Sequence, residues 1–122
     1  MKKNFFSVEN WLSRFRYALN GLRVSFQSEQ TIWVHSVVTV MVAILSLWKG
    51  IREQEAIFIV FAIGFVWASE LFNTAIEKLA DKVTPEYNEQ IKLVKDLAAS
   101  AVLIASIVAM VTGLIIFIPK FL

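Results

Sequence analysis

LAASAVLIASIVAMVTGLIIFI, residues 97–118, runs from end to end without a charge. A helix of about 20 apolar residues crosses the roughly 30 Å hydrocarbon core of a bilayer, so this run predicts a membrane span that Pro119 and Lys120 close. Composition agrees with that reading. The 122-residue chain is 57% hydrophobic and 18% charged, with mean hydropathy +0.64. A soluble domain carries about 25% charged residues, and a chain this short cannot hide so much apolar surface in its own core. Lipid is the natural solvent for the excess.

Two further spans are expected upstream. Thr31 to Trp48 is bracketed by Trp33 and Trp48, aromatics suited to the two interfaces. Lys49 to Glu55 is a short polar connection, and the next uncharged run, Ala56 to Ser69, is too short to cross by itself. To cross, that helix must continue through Glu70, Asn73 and Glu77. Thr84-Pro85-Glu86 then reads as a turn and helix restart, with Pro85 at the first helical position. The N-terminal stretch, about residues 8–28, has the pattern of a helix lying on the membrane surface. Trp11, Leu12, Phe15, Ala18, Leu19, Leu22 and Phe26 fall within an arc of roughly 120°, with Ser13, Arg16, Asn20 and Arg23 outside it. A helix packed on the rest of the protein would show the same stripe. The expected fold is therefore all-α: one membrane domain over residues 1–122, with a surface helix and spans at about 31–48, 56–78 and 95–118.

Charge placement predicts orientation. Lys2, Lys3, Arg14, Arg16, Arg23, Lys78, Lys82, Lys92 and Lys95 fall on one side, against Lys49, Arg52 and Lys120 on the other. The positive-inside rule puts the N-terminus and the second connection in the cytoplasm, and the C-terminus outside. The stretch after Lys2 and Lys3 is amphipathic, with arginines inside it, rather than a continuous apolar block, so no cleavable signal is expected and the first span is retained. A net charge of +2 is too small to point to nucleic acid. The absence of cysteine excludes disulfides, thiolate metal sites and cysteine nucleophiles.

The chemistry lies in the second span. On a helix Glu70, Asn73, Glu77 and Asp81 fall within about 80° of arc, with Thr74 beside them. A carboxylate inside the bilayer costs several kcal/mol unless paired or hydrated, so such residues are functional by default. A purely structural pairing of Glu70 and Glu77 with lysines is the competing account. Clustered carboxylates near a basic residue suit Mg²⁺ accompanying a nucleotide, and a carboxylate at that depth suits a general base for a lipid hydroxyl. Lys95-Asp96 opens the third span at the same depth; the lysine can neutralise phosphate, and the aspartate can accept hydrogen bonds from a nucleotide. Taken alone, the two are equally well two interfacial charges ending a helix. Glu29, between the surface helix and the first span, is undecided on its own. His35, about one turn into the first span, reads as a hydrogen-bonded structural residue. Neither G-x-x-x-x-G-K-[ST] nor G-x-G-x-x-G occurs, which excludes a phosphate-loop or protein-kinase site. Phosphoryl transfer needs positioning and charge neutralisation more than a particular fold.

Ser69-Glu70-Leu71-Phe72-Asn73-Thr74-Ala75-Ile76-Glu77 resembles the E-x-x-N-[ST]-A-[IV]-E signature of the prokaryotic diacylglycerol kinase family. Lys95 to Ile104 is similar to the family's K-D-x-[AG]-[ASG]-[SG]-A-V-L segment, and Tyr17-Ala18-Leu19-Asn20-Gly21-Leu22-Arg23 to its surface-helix segment, with the spacing to Glu29 also matching. The resemblance covers nearly the whole chain. It implies a homotrimer in the bacterial inner membrane, with sites between subunits, that uses Mg-ATP to phosphorylate a lipid alcohol. It makes Glu70 the general base and Asn73 the residue that orients the reacting groups. Glu29 and Glu77 become the Mg²⁺-associated carboxylates at the nucleotide, Lys95 a phosphate contact, and Asp96 and Tyr17 nucleotide contacts. Two positions depart from the pattern. Trp33 stands where many relatives carry a basic residue. His35 stands where proteobacterial diacylglycerol kinases tend to carry glutamate, and is more like the undecaprenol kinase branch.

The expected function is ATP-dependent phosphorylation of diacylglycerol, with undecaprenol as the alternative acceptor. A small proton- or cation-coupled transporter is the reading from another class, and a catalytically dead interaction protein a further one. The intact polar set argues against a dead protein. Carboxylates clustered at one end of one helix argue against transport, because a path should be polar across the full depth.

Overall fold

The computed structural model describes residues 7–122, so Lys2 and Lys3 lie outside the described residues. Within them the chain forms four helices and no strand: α1 Val8–Ser28, α2 Gln30–Lys49, α3 Glu53–Val83 and α4 Glu89–Phe121. The last three are long and apolar enough to cross a membrane. The chain divides into two compact units, one ending at Val34 and the other running from His35 to Leu122.

In the first unit α1 carries the N-terminal apolar pattern. Trp11, Leu12, Phe15 and Leu19 are all exposed. The helix stops where Glu29 turns to extended backbone, its N–H still bonded to Ser25 O. Trp33, in the first turn of α2, donates its indole N–H to Phe26 O at 2.9 Å and meets the Phe26 ring edge-on at 5.5 Å. Phe26 O is among the last carbonyls of α1, which lack partners inside the helix, so Trp33 caps α1. That gives the aromatic at position 33 a local structural role.

The second unit is built on α3 and α4, which lie antiparallel. Asp81, near the end of α3, pairs with Lys95, near the start of α4. Glu55, at the start of α3, accepts from Lys120 Nζ at 3.0 Å near the end of α4. The stretch of α3 from Glu55 to Asp81 and the stretch of α4 from Lys95 to Lys120 are nearly equal in length. At the helical rise each comes to about 38 Å, longer than the roughly 30 Å hydrocarbon core. Between the pairs, small side chains let the backbones approach: Ala98 and Ala105 of α4, two turns apart, and Ala80 of α3 are all buried. Ile59, Ile116 and Phe117 form a cluster, with Val42, Leu45, Ile51 and Ile63 packed against it.

The connections explain where the helices end. Gly50 closes α2 with φ +73, the left-handed conformation that favours glycine. Arg52 N–H donates to Glu55 Oε1 at 2.9 Å, tying down the first turn of α3. One sequence expectation is corrected. Pro85 does not begin the last helix: α3 ends at Val83, Pro85 sits in the loop, and α4 starts at Glu89. Asn88 sets that start, because its Oδ1 accepts from Gln90 N and Ile91 N and satisfies two of the orphan donors of a helix N-terminus. At the far end of α4 the helix runs through Pro119 to Phe121, a little past the uncharged run that Pro119 and Lys120 follow. Proline removes one helical donor, but in the last turn Lys120 is held by Glu55 and Phe121 stacks edge-on against Trp48 at 5.8 Å.

Ala105, fully buried, should be intolerant of bulk. Ala105→Leu is expected to destabilise the protein by about 1–3 kcal/mol, the usual cost of overpacking. Denaturation in mixed micelles measures it, and an unchanged midpoint would show that nothing packs closely at Ala105.

Candidate functional site

The second half of α3 carries the acidic stripe, and burial grades along it. Ser69, Glu70 and Thr74 are buried, Asn73 and Glu77 half-buried, and Asp81 exposed. From Glu70 to Asp81 is about 16 Å of helix. The helix continues through these residues because nothing in the stretch Leu71 to Val83 breaks it: it holds no proline or glycine, and Ala75, Glu77, Lys78, Leu79 and Ala80 are strong helix formers.

Glu70, only 5% exposed, lies beside a residue outside the stripe. His35 Nε2 on α2 is 3.4 Å from Glu70 Oε2. One turn along each helix a second polar link joins α2 to α3: Trp67 Nε1 donates to Thr39 Oγ1 at 3.0 Å, and Thr39 Oγ1 donates to His35 O at 2.7 Å. His35 thus makes the hydrogen bond expected of it, and its partner is the proposed base. Sequence reasoning did not pair the two. A signal was available in register, since 35 and 39 on one helix and 70 and 67 on an antiparallel neighbour advance together by about one turn.

Lys95 is brought to the stripe, at Asp81, while Asp96 is engaged by Lys92 Nζ at 2.7 Å, one turn back on α4. Asp81 belongs to the stripe, but sequence reasoning gave it no role in the site. Its place as Lys95's partner follows from the antiparallel packing of α3 and α4. Tyr17 is exposed on α1, and Glu29 is half-buried at the junction of α1 and α2. Both belong to the first unit.

Two buried oxygens of the stripe have no hydrogen-bond partner in the chain: Asn73 Oδ1 and Thr74 Oγ1. A buried polar atom left unpaired costs about 1–3 kcal/mol, so such atoms mark places where something else binds. Asn73 and Glu77 stand one turn apart, offering an amide and a carboxylate oxygen, the hard donors that Mg²⁺ prefers. Among the described residues no three His, Asp or Glu side chains gather as a metal cage.

A family model, prokaryotic diacylglycerol kinase, matches residues 16–117 of this chain, α2, α3 and most of α1 and α4 included. The chain belongs to the prokaryotic diacylglycerol kinase family. It is a lipid kinase, a phosphotransferase. Among curated relatives, the undecaprenol kinase of Bacillus subtilis (strain 168) is 29% identical over 93% of this chain and 92% of its own length. The diacylglycerol kinase of Escherichia coli (strain K12) is 29% identical over 82% of each chain. That of Synechocystis sp. (strain ATCC 27184 / PCC 6803 / Kazusa) is 32% identical over the whole of this chain and 71% of its own. A lipid kinase has a definite task, since a hydroxyl has to lose a proton where a phosphoryl group arrives.

Proposed function

We propose that this kinase transfers the γ-phosphoryl group of ATP to the primary hydroxyl of diacylglycerol, giving phosphatidic acid. The observation that carries the reading is the stripe itself. It sets a buried carboxylate, Glu70, beside an unpaired buried amide oxygen, Asn73 Oδ1, and leads outward through Glu77 toward the Asp81–Lys95 pair. Glu70 takes the proton of the lipid hydroxyl as that oxygen attacks the γ-phosphorus. The new O–P bond forms as the bond from phosphorus to the β-phosphate's bridging oxygen breaks, and ADP leaves with that electron pair. Asn73 orients the reacting groups. Lys95 supplies positive charge to the phosphates, exchanging Asp81 for them, while Asp96 and Tyr17 contact the rest of the nucleotide. Glu29 and Glu77 are the carboxylates that would hold Mg²⁺, and the ion would neutralise phosphate charge.

The assembly in this reading is a homotrimer in the bacterial inner membrane, with α1 on the cytoplasmic surface. Phe72, 72% exposed next to the buried stripe, and the mostly unburied apolar faces of all three long helices support a partner or lipid around each chain. The cytoplasmic placement of the site rests on the lysine and arginine asymmetry, which holds among the described residues as well: Arg14, Arg16, Arg23, Lys78, Lys82, Lys92 and Lys95 against Lys49, Arg52 and Lys120. Undecaprenol is the second acceptor. His35, in place of a carboxylate, offers one fewer acceptor to a polar headgroup, and a site that demands a hydrogen bond rejects analogues far better than one that does not.

Purified protein with γ-labelled ATP and each lipid in matched micelles tests both points. Label is expected in both lipids, and label in neither would sink the kinase reading for these acceptors; label confined to diacylglycerol would remove undecaprenol as an acceptor. Glu70→Gln keeps the volume but cannot act as a base, and should lower turnover by about 10²–10⁴-fold in a protein that still inserts and assembles. Near-normal turnover would end the assignment of Glu70 as base. For orientation, a cysteine at Gln54 should react with an impermeant thiol reagent from outside the cell, and one at Asn88 should not. Gln54 serves better than Gly50, whose φ of +73 would strain any side chain. The reverse labelling would invert the topology.

A further inference from the structure

His35 stands outside the acidic stripe and outside the α3–α4 pair, yet its ring lies against the proposed base. The two side chains are 19% and 6% exposed, so water competes little for their contact. A carboxylate that acts as a base only accepts hydrogen bonds, so in that role the ring nitrogen facing Glu70 Oε2 is the one that carries hydrogen. We infer that His35 is a positioning residue for the reaction: its Nε2–H holds the Glu70 carboxylate in the rotamer that meets the lipid hydroxyl.

The surroundings of His35 suit that role. Its backbone carbonyl is fixed by a directional chain from the neighbouring helix. Trp67 has only a donor to offer and gives it to Thr39 Oγ1, which leaves the Thr39 hydrogen for His35 O. The links at 35–70 and 39–67 stand one turn apart on both helices and lock the register of α2 against α3 where the carboxylate sits. A glutamate has three rotatable side-chain bonds, the last with a broad preference, and a base must come within about 2.6–3.2 Å of the proton it takes. Without a donor at Oε2, the carboxylate loses a restraint on its orientation. The loss should appear in the chemical step and not in nucleotide binding, since the nucleotide contacts proposed above lie elsewhere.

The inference rests on Glu70 being the base, and the test separates the two. His35→Phe keeps the bulk and removes the donor; His35→Gln puts an amide N–H at nearly the reach of Nε2; His35→Asn stops one methylene short. In assembled protein, kcat for lipid phosphorylation should fall roughly 10–100-fold in His35→Phe, with KM for ATP within about threefold of the parent. His35→Gln should recover kcat to within about threefold. A parent-like kcat in His35→Phe, or equal loss in Phe and Gln, overturns the positioning role. If the Phe variant does not assemble, the Gln and Asn variants decide: Gln faster than Asn upholds the role, and equal rates refute it. Glu70→Gln is assayed alongside. Normal turnover there removes the base, and the inference with it, whereas a dead Glu70→Gln with indifferent His35 variants removes only the role of His35.

Discussion

A carboxylate kept inside an apolar helix bundle is the constraint to which the other features answer. The uncharged run of the second span, Ala56 to Ser69, is too short to cross the hydrocarbon, so a helix that crosses must carry Glu70 and the residues after it into or near that layer. Charge in that setting costs several kcal/mol unless it is covered and hydrogen-bonded. Glu70 is covered: it is buried, and an imidazole from α2 lies against it. The side chains between α2 and α3 are correspondingly polar at this level, with Trp67 and Thr39 linked where a purely structural pair of spans would use aliphatic contacts.

The α3–α4 pair supplies the frame for that polar layer. Ion pairs about 38 Å apart mark its two ends, and small residues between them, Ala98 and Ala105, bring α4 close. The two pairs differ in surroundings. Glu55 and Lys120 are both largely buried, at 12% and 20% exposure, and sit close to the Trp48–Phe121 contact. Lys95 and Asp81 are 37% and 64% exposed, and exposed pairs contribute about 0–1 kcal/mol. A weak, wet pair is one whose lysine is readily given up to a phosphate. The end of the bundle with the more buried clasp is thus the end away from the acidic stripe.

Much of this was legible in residue order, and what was not has identifiable reasons. A helical stripe is a local property, so Glu70, Asn73 and Glu77 emerge from spacing alone, as does the need for α3 to run past Ser69. Helix boundaries depend on which of several short polar residues wins a cap. Asn88 outcompetes the Pro85 signal because its side chain satisfies two backbone donors, whereas Pro85 satisfies none. The His35–Glu70 contact joins residues far apart in sequence, and no local pattern encodes it. Only an assumed antiparallel register of α2 on α3 would have brought it out. Tyr17 entered through family resemblance, which also gave Glu29, undecided from its position alone, its role. Both lie in the other compact unit, so the geometry around Glu70 neither adds to nor subtracts from their roles.

The unpaired oxygens of Asn73 and Thr74 bear on why this helix is built as it is. A threonine in a helix usually turns its hydroxyl to the carbonyl one turn back, as Thr39 and Thr112 do in this chain. Thr74 does not, although it is only 6% exposed. At about 1–3 kcal/mol for each buried unsatisfied group, the two oxygens cost a sizeable part of the stability of a small domain. Replacing both by apolar groups of similar shape would remove that cost and would suit a helix whose only task was to cross lipid. Their presence one turn beyond Glu70 therefore points to groups outside the single chain, substrate or neighbouring subunit, that complete their hydrogen bonds. On that account the isolated chain is under-satisfied along the length of α3 where the reaction is proposed to occur. Stability gained on binding should then fall at those two oxygens rather than along the apolar faces of α2 or α4.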